Sequence, residues 1–85
     1  MAKCAICGNK KEGWTWQPFG PEEGLNCFTA PGHHYRGFPA LHCCDECKQA
    51  IQRGDPASFK YQGIWFDLAG GVIYRRRGLV DAAFK

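Results

Sequence analysis

Apolar residues are arranged differently in the two halves of this chain. In the first half, Trp14-Thr15-Trp16-Gln17 alternates as an extended segment would, and residues 25–29 and 37–42 offer two more short extended pieces. Residues 13–39 hold nine glycines and prolines, Pro18, Pro21, Pro31 and Pro39 among them, which excludes a long helix or a central strand there. Residues 44–53 read as a helix, with acids in the first turn, Arg53 in the last, Gly54 as the stop and Pro56 barring continuation. Ile51 follows Cys47 by four, so one face should bury both. From residue 59 the pattern turns to aromatic and β-branched triplets at 59–61, 64–66 and 72–74. Gln62-Gly63 and Ala69-Gly70-Gly71 supply turns between them, which predicts a three-stranded antiparallel meander over 59–77. Residues 78–85 form a short helix or tail in this reading, docking by Leu79, Val80 and Phe84.

A chain of 85 residues makes one domain, and a core this small supplies only a few kcal/mol. At 45% hydrophobic and 14% aromatic the composition is that of a folded chain. No apolar run is long enough for a membrane helix or an export signal. Six cysteines without an export signal point to metal thiolates in a reducing cytoplasm rather than to disulfides. Four thiolates and one divalent ion would take the formal charge from +3 to +1. Electrostatic attraction to nucleic acid therefore has to rest on the C-terminal stretch. There Lys60, Arg75, Arg76, Arg77 and Lys85 outnumber Asp67 and Asp81.

The strongest signal is a pair of CxxC motifs, Cys4-x2-Cys7 and Cys44-x2-Cys47. Two such pairs suit one tetrahedral Zn²⁺ closed by four sulfurs, although ligand type alone fits an iron centre as well. A dithiol redox role needs only one pair and a thioredoxin-like context that the pattern lacks. Cys7 is followed by Gly8, as in a zinc knuckle, whereas Cys47 continues into a helix. One knuckle and one helix start disfavour rubredoxins and zinc ribbons, which pair two knuckles. Over residues 4–54, Cys4-Ala5-Ile6-Cys7-Gly8 and Cys44-Asp45-Glu46-Cys47 resemble the treble-clef zinc fingers. The resemblance implies a small α+β zinc-stabilised domain, with a knuckle and a helix sharing one ion ahead of the meander. It implies no particular function, because that group spans nucleic-acid binders, adaptors and nucleases.

The 36 residues between the two motifs exceed a plain hairpin, and so long an insertion is expected to be functional or pinned by something extra. Cys27, His33, His34, His42 and Cys43 could form a second metal site there, or could be buried thiols and ordinary polar residues. Cys43-x3-Cys47 also fits one helical turn, so Cys43 is an alternative to Cys44, which is preferred for its place at the helix start. His33-His34 invites comparison with His-Asn-His nucleases. Both asparagines, Asn9 and Asn26, precede His33, and the helix carries no histidine, so the comparison fails.

The expected function is a non-catalytic zinc-binding module with a macromolecular partner and no small-molecule substrate. Nucleic acid is slightly favoured, with Lys60, Arg75, Arg76 and Arg77 on phosphates and exposed rings such as Tyr61, Trp65 or Tyr74 stacking on bases. The alternative is a protein adaptor or inhibitor docking through Trp14 and Trp16, which share one face of an extended segment. A metal-dependent enzyme is the third class. It needs an open coordination position that four cysteines do not leave.

Overall fold

The computed structural model describes residues 2–20 and 26–76. Three strands precede the helix: β1 (Gly13–Trp16), β2 (Phe28–Thr29) and β3 (Leu41–Cys44). They pair antiparallel in the order β2-β1-β3, so the first strand of the chain is the central one. Helix α1 (Asp45–Arg53) follows β3 with no linker. Strands β4 (Ala57–Tyr61), β5 (Ile64–Ala69) and β6 (Val72–Arg75) then form a second antiparallel sheet in chain order. The expected meander is therefore present, each strand running a little longer than its apolar triplet. Its two-residue turns, Gln62-Gly63 and Gly70-Gly71, lie at positive φ throughout, as the strand twist demands.

Two extended pieces differ from expectation. The one expected over 37–42 forms a strand only from Leu41, because Pro39 has no N–H to give to a ladder, and it runs on to Cys44. Of the one expected over 25–29, Leu25 lies outside the described residues, and Phe28 and Thr29 pair opposite Trp16 and Thr15. The short helix or tail expected over 78–85 lies outside the described residues.

Strand alternation selects the core. Trp14 and Trp16 do share a face, together with their cross-strand partners Cys43, Leu41 and Phe28. That face points inward. Trp16 is fully buried, stacked on Phe28 at 6.1 Å and meeting Phe59 of β4 edge-on at 5.0 Å. Phe59, also fully buried, stacks on Phe66, and Phe19 fits against Phe59, Tyr61 and Phe66. Truncating one such ring costs about 3–5 kcal/mol. The total stability of a small domain is only about 5–15 kcal/mol. Trp16 therefore belongs to the core and cannot serve as the docking residue that the adaptor alternative made of it.

The helix ends as its sequence dictates. Cys44 is the N-cap, Asp45 and Glu46 occupy the first turn, and Gly54 caps the C-terminus in the left-handed conformation. Ile51 is buried and Cys47 half-buried on one face. Gly54 also carries the link to the second sheet, its carbonyl accepting from the Gly70 amide at 3.0 Å.

What pins the long insertion is a glutamine. Gln17 is fully buried directly after β1. Its Nε2 donates to the carbonyls of Tyr35 at 2.9 Å and Phe38 at 3.2 Å, while its Oε1 accepts from the Tyr35 amide at 2.9 Å. One side chain thus stands in for a strand's backbone groups and satisfies three polar atoms of the loop. Gln17→Leu keeps the volume and removes all three bonds. It should cost about 1–3 kcal/mol in chemical denaturation and accelerate hydrogen exchange at the Tyr35 amide. Unchanged protection of that amide would contradict the clamp.

Candidate metal centre

The N-terminal turn is built around one sulfur. Cys4 N–H donates to the Asn9 carbonyl, Gly8 N–H donates to the Cys4 carbonyl, and Lys3 pairs with Lys10 across the neck. Gly8 takes φ +78°, which turns the chain back, and Ile6 N–H points at Cys4 Sγ at 3.4 Å. A backbone bond, Ala5 N–H to the His42 carbonyl at 2.8 Å, ties this turn to β3 two residues before Cys44. On the other side β1 presses close to the same point. Gly13 is paired with Cys44, and a Cβ there would lie 2.2 Å from the Cys43 carbonyl oxygen. No other residue fits.

These contacts bring Cys4, Cys7, Cys44 and Cys47 together, with their sulfurs all within 4.8 Å of one another. Cys4 and Cys44 are buried, Cys47 is half-buried and Cys7 is exposed. Cys7 Sγ and Cys44 Sγ are 3.9 Å apart, far beyond a disulfide bond. Zn–S bonds of about 2.3 Å set a tetrahedral edge of about 3.8 Å, so this spacing suits four sulfurs around one ion. Among the described residues this is the one group of three or more Cys, His, Asp or Glu side chains arranged to hold a metal.

Electrostatics favour a cation at the centre. Burial opposes charge on Cys4, yet the amides of Cys44, Cys7 and Ile6 donate to its sulfur and bring its pKa down to about 6. Burial then pushes Cys44 and Cys47 up, and the charge on Cys4 pushes them further. The first thiolate forms readily and resists the others, so four thiolates at this spacing require a positive ion among them.

Neighbouring side chains hold the helix start in place. Trp14 Nε1 donates to Asp45 Oδ1 at 3.1 Å, and Gln49 Nε2 donates to Asp45 Oδ2 at 2.7 Å. Both bonds lower the Asp45 pKa. Lys48 Nζ lies 4.7 Å from the centre of the Trp14 ring. Trp14 therefore seats the helix beside Cys44, which is a different task from the docking expected of it. Lys11 Nζ meets Glu46 Oε1 at 2.5 Å, and the Lys11 carbonyl accepts from His42 Nε2.

The alternative ligand and the second metal site are not formed. Cys43 alternates away from Cys44 into the core, where burial and then the neighbouring Cys4 charge push its thiol up. His42 is engaged by Lys11, Cys27 is half-buried beyond Gln17, and His33 and His34 line a shallow concavity with Thr29 and Tyr35. No three of these five meet at a common point.

The basic residues also separate. Lys60 and Arg75 are exposed but lie on opposite faces of the second sheet, since Lys60 faces Trp65 across the ladder and Arg75 faces Phe66. Arg76 is already engaged. It forms an ion pair with Asp67, its Nε donating to Oδ2 at 3.0 Å, and its Nη2 donates to Ser58 Oγ at 3.1 Å. Its guanidinium lies 5.1 Å from the centre of the Trp65 ring. Arg76, and then Ser58, hold the Asp67 carboxyl at about 2. Arg77 lies outside the described residues. Trp65 and Tyr74 are exposed, whereas Tyr61 packs on Phe19.

Sequence reasoning missed the Ser58–Asp67–Arg76 group and the Gln17 clamp. The first was open to counting, because a two-residue turn at 62–63 sets Ser58 opposite Asp67. The second carries no local signal.

No protein-family model, curated protein or solved structure matches this chain. Among the described residues no helix is long and apolar enough to cross a membrane.

Two outcomes follow from this geometry. Gly13→Ala should cost about 2 kcal/mol or more, because backbone rather than a flexible side chain stands in the way, and should weaken metal retention against a chromophoric chelator. Metal uptake near pH 7 should release about two protons or more per chain, since the Cys44 and Cys47 thiols are held above their ordinary range. Calorimetry in buffers of different ionisation heat reads that number, and a value near zero would contradict the assignment.

Proposed function

We propose that this chain is a non-catalytic, zinc-stabilised module that binds nucleic acid. Zinc is favoured by the donor set of four cysteines and by the 3.9 Å sulfur spacing. A treble-clef-like centre is supported by the knuckle at residues 4–8 and by Cys44 and Cys47 flanking the first turn of α1. Four thiolates leave no position for water or substrate, so the ion is structural and the module is not an enzyme.

The observation that carries the nucleic-acid reading is the outer face of the second sheet. There Trp65 lies between Lys60 and Arg76, with Tyr74 exposed nearby. A cation beside an open ring attracts a phosphate and offers a surface to a base. Lys60 supplies free charge for a phosphate on this face, Arg75 lies on the opposite one, and Arg76 acts through Asp67 and Trp65. A protein-adaptor reading also has support, now from Tyr35 and Phe38, which are exposed on the loop that Gln17 holds.

Elemental analysis should give one zinc per chain, unchanged in Cys27→Ala, and a strong chelator should abolish the circular dichroism of the fold cooperatively. Binding to mixed-sequence oligonucleotides should weaken as salt rises. Lys60→Ala should flatten that dependence by about one unit, while Arg75→Ala, on the opposite face, and Arg76→Ala leave the slope unchanged. Undetectable binding near physiological salt would overturn the nucleic-acid reading in favour of the adaptor.

A further inference from the structure

The outer face of the second sheet forms a small grid. Direct partners across a ladder share a face, and so do residues two apart along a strand. Lys60, Trp65 and Arg76 therefore make one row, and Ser58, Asp67 and Tyr74 the next. Ala69 and Val72 complete the face. Trp65 is 42% exposed, Val72 47% and Tyr74 54%. No other strand covers this face among the described residues, and the opposite face holds the core residues Phe59 and Leu68.

Two features of the grid decide what it can hold. Its charge is sparse, because Asp67 neutralises Arg76 and, among the described residues, only Lys60 is left free on the face. A duplex presents phosphates outward and keeps its bases stacked inside, so a duplex ligand would meet one free cation and two rings with nothing to stack on. Duplex binders draw affinity from many phosphate contacts, which this face lacks. A single strand offers both a base plane for each ring and a phosphate for Lys60. Trp65 and Tyr74 sit diagonally on neighbouring strands, about 7–8 Å apart at Cα, a spacing at which two splayed bases can each find a ring. Arg76, fixed by Asp67 and Ser58, holds the indole in place before any ligand arrives, which lowers the entropy lost on binding.

Resting on the nucleic-acid reading above, we infer that the ligand is single-stranded, and that two of its unpaired bases stack on Trp65 and Tyr74 while Lys60, on the far side of Trp65 from Tyr74, contacts the phosphate flanking the base on Trp65. Charge complementarity selects an anionic ligand over an apolar protein surface, since the free ammonium of Lys60 stands beside the ring and Asp67 is already paired with Arg76.

The test uses the zinc-loaded full chain with an oligothymidylate of about ten nucleotides, within the usual site size of a small binding module, and a mixed-sequence duplex of equal length. Single-strand binding should quench tryptophan fluorescence with a shallow salt slope, about one unit, because stacking rather than counterion release supplies most of the affinity. Trp65→Ala should remove that quenching and weaken binding about ten- to hundredfold, and Tyr74→Ala should weaken it about tenfold. Both variants lie on an exposed face, and zinc content and circular dichroism confirm that each still folds. Trp65→Phe, which keeps a ring, should retain most of the affinity.

Duplex binding that equals or exceeds single-strand binding, with no tryptophan response, would overturn this inference and leave the nucleic-acid reading standing. Binding of neither form would overturn both. Concentration-dependent dimerisation abolished by Trp65→Ala, with no oligonucleotide binding, would assign the face to a second copy of the chain instead.

Discussion

Four sulfurs within 4.8 Å cannot all be charged unless a cation stands among them, and everything else in this small protein is arranged around that condition. The knuckle stabilises one thiolate with its own amides, then reaches β3 through the bond from Ala5 to His42. The helix starts at the third cysteine of the cluster and carries the fourth in its first turn. The two segments meeting here, residues 4–8 and the continuous run of β3 into α1, are far apart in sequence, and closing so long a loop costs entropy that so small a core recovers poorly. A metal ion held only by the closed arrangement would supply what is missing.

Adjacent cysteines at 43 and 44 show how a strand divides labour. Neighbouring side chains on a strand point to opposite faces, so one chemical group is sent into the apolar core and its neighbour to the metal cluster. Trp14, opposite Cys43, covers the core face and reaches Asp45 with its indole N–H. Gly13, opposite Cys44, must be bare to let the backbone pass. The register of β1 on β3 therefore sets both the packing and the coordination.

Much of this was legible in the sequence because the signals are local. The CxxC spacing, the acids after Cys44, Gly54 and the paired turn residues at 62–63 and 70–71 each declare their structure within a few positions. What was not legible depends on contacts between distant segments. Trp16 and Trp65 are the same residue type in similar alternating contexts, yet one is fully buried and the other open, and only the placement of Phe28 and Phe59 decides which. The arginine run looked uniform, whereas strand alternation and Asp67 give Arg75 and Arg76 different surroundings. The length of the insertion pointed to something that pins it, and its cysteines and histidines left a second metal site open beside the plainer reading of buried thiols and ordinary polar residues. A single amide side chain does the same work with no motif to announce it.

The edge-on contact of Trp16 with Phe59 joins the two sheets into one aromatic cluster. A fragment cut after Gly54 would carry the three meander strands away with Phe59, Phe66 and Leu68 bared, and the remaining piece would keep its cysteines around an open cavity. Neither part is a transferable unit. Recombination that shuffled the C-terminal sheet onto another protein would have to bring a replacement for Trp16 with it, so the metal-binding half and the exposed sheet face are inherited together or not at all.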